Sequence, residues 1–263
     1  LSWLSLFPVS PTPSRPSHKD TLLSFHHPST PTGFGLALFA LYTQTSLYLP
    51  SLPHNATHED LSIVLLSPSC PPPTLIFAPS AILDQPLYSF LLQTMLGDSS
   101  FIIKHARNGK LRLLREGVVT RSTWWDSILF DGMRKDVHLH ALRSLIFDGP
   151  VLQSRLDFFR IALGVPTISS QGHAFLLAPL SAAMMWDFQR LPPPGMEENE
   201  GVQEKGSVGP PVSGVELKLR GDEAEIAAGR VKGEVRSSSL RVGSFGIDCW
   251  LWVAGLDPLA TPP

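Results

Sequence analysis

Few residues of this chain have the types and the spacing that catalysis or metal binding requires. His138 and His140 stand two residues apart, but a single pair makes a poor metal site, and a surface pair is the simpler interpretation. Serine catalysis would need a nucleophile on a sharp turn, and no Gly-x-Ser-x-Gly string occurs. Cys70 and Cys249 are too few for a disulfide framework and favour a reducing compartment. Taken one by one, these residues point to no catalytic group and no metal site.

The composition is that of a globular chain without a preference for nucleic acid. Its 263 residues are 43% hydrophobic and 17% charged, and the formal net charge of −2 gives no basic surface for a nucleic acid. The longest apolar run, 33–49, is interrupted by polar residues and is shorter than the about 20 residues of a spanning helix, so we interpret it as buried core. We predict no transmembrane segment and a location in the cytoplasm or at a membrane surface. Because the chain begins with Leu1, we expect a fragment, a processed product or a misplaced gene start.

Periodicity and capping signals predict the elements that must position any site. Strands are predicted at 22–25 and 74–78, and helices at 36–42, 81–96, 101–115 and 122–137. A strand–helix–strand unit follows at 143–147, 153–163 and 165–168, with Gly164 at the helix C-terminus; this order favours parallel pairing. The stretches 215–219 and 232–236 alternate as half-buried antiparallel strands do.

Together these elements predict an α/β fold. We expect a mostly parallel sheet flanked by helices, with a small antiparallel β portion towards the C-terminus. The expected organisation is a Pro/Ser-rich disordered arm at 1–19, an α/β domain at 20–190, an acidic Pro/Glu loop at 191–205, the β portion at 206–245 and an irregular tail at 246–263.

Three strings are distinctive: KLRLLREGVVTRSTWWDSILFDGMRKD at 110–136, RSLIFDGPVLQSRLDFFRIALG at 143–164 and GSVGPPVSGVELKL at 206–219. In this order they resemble segments of the AMP-forming long-chain acyl-CoA synthetases of the adenylate-forming superfamily. The string at 110–136 is similar to a helical region of those enzymes. The string at 143–164 resembles their strand-loop-helix with a Gly-Ala-Ala-Pro-type loop, and the string at 206–219 resembles the entry to their small β-barrel subdomain. Fainter similarities at 21–35, 77–83 and 233–235 extend the resemblance over roughly residues 20–237.

The resemblance implies part of the AMP-binding large domain of a fatty-acid–CoA ligase. Such an enzyme uses ATP and magnesium to activate a fatty acid as its acyl-adenylate, and then passes the acyl group to CoA. The site must therefore cradle phosphates, neutralise charge and hold adenine. ATP, magnesium and CoA are implied as cofactors by resemblance alone, and a fatty acid or an adenine nucleotide as the ligand.

The resemblance also assigns candidate site residues. Asp148-Gly149-Pro150 stands in the place of the adenine-binding loop, although an ordinary strand-to-helix turn explains it equally well. Counting forward without gaps from Gly164 puts Gln171-Gly172-His173 on a Tyr-Gly-x-Thr-Glu motif. His26 and His27 occupy the place of a Leu-Pro-x-x-His motif, which with Phe175 implies an acyl pocket.

The chain differs from the family at the positions that take part in catalysis. Ala174 lacks the threonine hydroxyl that contacts phosphate, and Phe175 replaces the glutamate that holds magnesium, a cation that requires oxygen ligands. These 263 residues contain no Pro-Lys-Gly phosphate loop, no credible Thr-Gly-Asp motif and no lid with a catalytic lysine. We therefore expect a truncated or degenerate ligase that makes little or no acyl-adenylate. The alternatives are a non-catalytic homologue that binds an acyl chain, a nucleotide or a protein partner, and a gene-model fragment of a longer protein.

Two structural expectations follow from the resemblance. The family packs this region against a preceding segment, so 36–42 and 74–78 should leave an apolar face partly uncovered, and the chain should self-associate or need a partner. The turns after 143–147 and at 169–173 should meet at the carboxyl ends of neighbouring parallel strands, where open α/β sheets place their ligands.

Overall fold

The structure is a computed structural model, and the chain in it forms two compact units. The described residues are 6–7, 15–53, 55–95, 100–172, 176–183, 209–212, 215–220, 233–239 and 249–253. The first unit is Leu1–Pro210 and the second is Pro211–Pro263. The predicted acidic loop at 191–205 and much of the predicted arm at 1–19 lie outside the described residues. Leu6 and Phe7 belong to that arm and are buried.

The first unit contains the predicted mostly parallel sheet. Its strands are β1 (Thr21–Ser24), β2 (Ser46–Tyr48), β3 (Leu75–Pro79), β4 (Ser144–Asp148), β5 (Thr167–Gln171) and β6 (Ser181–Ala182). They lie in the order β2-β1-β3-β4-β5-β6. The first five strands are parallel, and β6 pairs antiparallel with β5. The predicted fold class is confirmed.

Helices connect these strands along the chain. They are α1 (Pro31–Thr43), α2 (His58–Leu65), α3 (Ser80–Met95), α4 (Ser100–Arg115), α5 (Asp131–Asp136) and α6 (Gln153–Leu163). A π-helical segment, Asp126–Phe130, runs directly into α5. Gly164 ends α6 in the left-handed region at φ 64°, as its predicted position requires. The predicted helix at 122–137 is thus realised as a π-helical segment followed by a short α-helix.

The helices cover the sheet on both faces, and α1 lies apart from the others. From β1 the chain crosses to β2 on one side, and from β2 it crosses back past β1 to β3 on the other side. Because such crossovers are right-handed, the reversal puts α1 and α2 on opposite faces. Alternate strand residues such as Leu23 and Ile76 join the main core with residues of α2 to α6. On the α1 face, the Phe39 ring lies 6.3 Å from that of Phe77 and 6.1 Å from that of Phe7.

A fully buried carboxylate holds the helical layer together. Asp126 of the π-helical segment accepts hydrogen bonds from Lys110 of α4 at 2.6 Å and from Arg134 of α5 at 2.5 Å. It also accepts one from the Thr123 hydroxyl at 2.6 Å, and Arg134 Nε donates to the Ala162 carbonyl of α6 at 3.0 Å. Burial alone would raise the pKa of Asp126, but these hydrogen bonds and the Lys110 charge hold it below its ordinary value.

The structure bears on two expectations about apolar segments. Within α1, Leu38, Leu41 and Tyr42 are exposed, so the predicted uncovered face exists on this helix, and the interpretation of 33–49 as buried core is wrong for that side. The β3 segment has no such face, because Leu75 to Ala78 are buried on both sides of the sheet. That half of the expectation is wrong. Among the described helices, none is both long and apolar enough to cross a membrane.

The second unit contains an antiparallel sheet of three strands. Its order is β7 (Val215–Arg220), β8 (Gly233–Ser239) and β9 (Cys249–Val253), and each pairs with the next in the chain. The predicted antiparallel portion is confirmed. The prediction of an irregular tail at 246–263 is wrong at β9, whose sequence CWLWV is rich in aromatic and branched residues that favour strands.

Candidate functional site

The carboxyl edge of the parallel sheet is the place where a ligand crevice is expected. Strands β1 and β3 are neighbours, yet the connections that leave them run to opposite faces. In doubly wound sheets the crevice opens at such a reversal, outside the carboxyl ends of the strands. The residues that follow the strand ends here are His26 after β1, Ser80 after β3, Gly149 after β4 and Gly172 after β5.

The predicted nucleotide-binding stretches meet at this edge. The Asp148 carboxylate accepts a hydrogen bond from the Gly172 N–H at 2.9 Å, and the Gly149 N–H donates to the Ser170 carbonyl at 2.7 Å. The two stretches are therefore hydrogen-bonded to each other, and the expected meeting of neighbouring strand ends is confirmed. A Cβ at position 172 would lie 2.8 Å from Asp148 Oδ1, so a larger residue here would displace this carboxyl group.

The structure adds Ser80, which sequence reasoning missed. A Cβ at Gly149 would lie 2.5 Å from the Ser80 hydroxyl oxygen, and Gly149 has φ 110°, which disfavours other residues. The first residue of α3 thus closes one side of the 148–150 turn. The signal was a serine directly after a buried strand, but its partner is about 70 residues away in sequence, so no local pattern could pair the two.

Asp148 gives this edge an acidic character. Burial raises the pKa of its carboxyl group, and the hydrogen bond from Gly172 opposes that rise. The described residues 25–30, 80, 148–152 and 171–172 contain no Lys or Arg, and Arg155 in the first turn of α6 is paired with Asp84 at 2.7 Å. The edge therefore presents an acceptor to a ligand, and the Gly172 N–H that could have faced an anion is already engaged by Asp148.

The two predicted acyl-pocket histidines differ in their surroundings. His26 is 8% exposed, its Nε2 has no hydrogen-bond partner, and burial lowers its pKa to about 4. It is therefore neutral at physiological pH. His27 is exposed and its ring bonds to Ser29 of its own loop. His26 lies two strands from Asp148, roughly 10 Å at ordinary strand spacing.

The other predicted site residues are not all open to description. His173 and Phe175 lie outside the described residues, so their roles stay predictions, and Pro150 is exposed at the turn. In the part of the chain that the structure describes, no three His, Cys, Asp or Glu side chains come together as a metal site would require.

A shallow cavity away from the carboxyl edge is a weaker candidate for a ligand site. It lies between α4 and α6, against residues such as Lys110, Leu114, Val119 and Arg160. The ammonium group of Lys110 is bound to Asp126 and lies 4.7 Å from the centre of the Phe130 ring. Because Asp126 neutralises the charge of Lys110, this cavity presents no evident catalytic group.

Comparisons with known proteins concern the fold. No protein-family model matches the chain, and no curated protein matches it in sequence. A benzoate CoA ligase from Burkholderia xenovorans superposes on 90% of this chain with a TM-score of 0.50 and 15% identity, covering 36% of the ligase. An anthranilate CoA ligase in complex with anthranoyl-AMP covers 85% of this chain and 32% of its own, at a TM-score of 0.48 and 18% identity.

A long-chain-fatty-acid-CoA ligase from Archaeoglobus fulgidus covers 85% of this chain and 35% of its own, at a TM-score of 0.46 and 13% identity. The chain thus spans about a third of the length of the solved structures that it matches. The benzoate CoA ligase superposition shows a shared fold. The anthranilate and long-chain-fatty-acid-CoA ligases have TM-scores below 0.5 and are not used as evidence for the fold.

Proposed function

We propose that this chain is a degenerate part of an adenylate-forming acyl-CoA ligase, and that its carboxyl-edge crevice binds a nucleoside weakly without activating a carboxylate. The resemblance at 110–136, 143–164 and 206–219 supports the lineage and a fatty acid as the ancestral substrate. The fold shared with a benzoate CoA ligase is consistent with the same lineage. ATP, magnesium and CoA are ligands of that ancestral reaction.

The observation that carries the proposal is the acidic turn. Adenylate formation develops negative charge on phosphate oxygens, so the site must direct N–H groups, cations or a metal at them. Here Asp148 places a carboxylate at the crevice and occupies the Gly172 N–H. A triphosphate approaching this turn meets repulsion, whereas an amino-bearing heterocycle such as adenine meets an acceptor.

Sequence positions beside the turn support the loss of chemistry. Ala174 and Phe175 replace the phosphate-contacting threonine and the magnesium-binding glutamate that the resemblance leads us to expect. Losing one preorganised charge-stabilising group costs about 10²–10³ in rate. Two such losses would leave this site unable to compete with an intact ligase, whatever other segments the full protein contributes.

Calorimetry with adenosine, ATP and Mg·ATP tests the proposal. We expect weak adenosine binding and no improvement from the triphosphate or from magnesium. Asp148→Asn keeps an oxygen acceptor for Gly172 and removes the charge, so ATP binding should strengthen by about fivefold, since one surface charge interaction contributes about 1 kcal/mol. Asp136→Asn is the matched control, because Asp136 is an exposed carboxylate at the end of α5.

Fatty-acid-dependent ATP–pyrophosphate exchange supplies a further readout, and we expect none above a heat-killed control. Exchange by the wild-type chain would contradict the loss of activity. Magnesium-dependent ATP binding tighter than adenosine binding would show that the nucleotide site lies elsewhere. The lineage itself would survive either result, because it depends on the resemblance.

A further inference from the structure

Helix α1 has an exposed apolar face that the nucleotide crevice does not use. This outer face consists of Phe34, Leu38, Leu41 and Tyr42, whose exposed fractions are 52%, 45%, 75% and 72%. The four residues are spaced i, i+4, i+7 and i+8, so they line one side of the helix. They form a continuous stripe rather than scattered surface residues.

The opposite side of α1 is already packed. Gly33, Gly35, Leu36, Phe39 and Ala40 are buried against the sheet and its neighbouring segments. The helix contains no charged residue at all, since its sequence is PTGFGLALFALYT. A helix that is apolar on every side belongs in a core or an interface, because a surface helix has a polar outer side. In this structure α1 is covered on one side only, whereas its sequence is typical of a helix that is covered on both sides.

We propose that two copies of this chain pair through the outer face of α1. The face carries no charge, so an identical face is complementary to it and brings no repulsion. A twofold pair requires this self-complementarity, because the same patch serves both partners. Ala37 is a small residue between Phe34 and Leu41 on the helix surface, which lets two helices approach closely. In an antiparallel pair, Tyr42 of one copy would lie opposite Phe34 of the other.

The size of the face suits a weak, specific dimer. If a fully exposed large side chain presents about 200 Å², the outer face presents roughly 500 Å². Two copies would then bury roughly 1,000 Å², above most crystal-packing contacts and near the lower limit of specific interfaces.

Sedimentation velocity of the full chain between about 1 and about 100 μM tests the pairing, a range that brackets a micromolar dissociation constant. We expect a reversible monomer–dimer equilibrium. Leu41→Glu places a charge in the centre of the face and should weaken dimerisation by at least tenfold. Ile63→Glu is the matched control, since Ile63 is 70% exposed on a different helix, α2, and should leave the equilibrium unchanged.

Thermal unfolding shows whether the monomer of each variant is still folded. We expect that it is, because the substituted positions are exposed. Leu38→Glu gives an independent test of the same face and should also dissociate the dimer. A wild-type chain that stays monomeric at about 100 μM would overturn the proposal. A dimer that survives both substitutions, or one that Ile63→Glu dissociates equally, would place the interface elsewhere and would also overturn it.

Discussion

Asp126→Asn tests whether the buried carboxylate stabilises the helical layer. Asp126 is 0% exposed, and its two cationic partners, Lys110 and Arg134, are 4% and 1% exposed. Removing one partner of a buried ion pair costs about 3–5 kcal/mol, because the remaining charges stay buried without compensation. Asparagine retains an oxygen acceptor at nearly the same position, so we expect the lower end, about 3 kcal/mol.

The double variant Asp126→Asn/Lys110→Met identifies the origin of that loss. Arg134 keeps Asp131 as a carboxylate partner at 2.7 Å, so Lys110 is the cation most affected by the loss of Asp126. Removing its charge should make the double variant more stable than Asp126→Asn by about 1 kcal/mol or more. Urea unfolding followed by far-UV circular dichroism and tryptophan fluorescence measures both values. Trp124 and Trp125 lie next to Asp126 with ring centres 4.6 Å apart, so their emission reports on this region.

The reasoning would be refuted by an Asp126→Asn variant within about 1 kcal/mol of the wild type, on the order of an ordinary hydrogen bond. It would also be refuted if the double variant were less stable than the single one, since Lys110 would then contribute packing rather than an uncompensated charge. Asp136→Asn should change the free energy of unfolding by less than about 0.5 kcal/mol, as surface substitutions usually do.

Three further predictions concern pH and packing. Burial lowers the pKa of His26 to about 4, so the unfolded chain takes up this proton first as pH falls, and up to about 3 kcal/mol of stability should be lost between pH 6.5 and 4. When the free energy of unfolding is measured as a function of acid pH, the His27→Phe variant should show this loss of stability and the His26→Phe variant should not. Burial also lowers the pKa of Lys110 to about 8, so stability from this group should increase between pH 8 and 10.5, and Lys110→Met should lack the increase in alkaline urea titrations. Gly35→Ala should cost about 2 kcal/mol or more because its Cβ would lie 1.9 Å from a backbone oxygen, whereas Gly132→Ala, with nothing within 4 Å, should be neutral or stabilising in thermal melts.

Elements with strong local signals could be predicted from the sequence. The helix at 153–163 has the observed bounds Gln153–Leu163, and its terminal Gly164 is left-handed as expected. Strands β3 and β4 lie within one residue of their predicted ranges, because buried apolar runs between breakers are unambiguous. Helix α2 was missed although Thr57 and Asp60 form a reciprocal capping box at its start. Its eight residues are too few for a clear period.

The site depended on contacts that no local pattern encodes. The resemblance placed Asp148 and Gly172 in one pocket, and the parallel register of β4 and β5 brings them together. Their direct hydrogen bond could not be read from the sequence, because it joins residues 24 positions apart. The Asp126 cluster has the same character, since its lysine partner is 16 positions away. Charge pairs of this kind arise from helix packing, which periodicity does not specify.

The described sheet of the first unit ends on both sides in very short strands. β2 has three residues and β6 has two. An exposed sheet edge can template the addition of further strands, and short edge strands are one means by which proteins prevent this. Another chain would find few backbone groups to pair with at either end, so growth into fibrils through this sheet is disfavoured. The short strands β2 and β6 thus protect this sheet from edge-to-edge association.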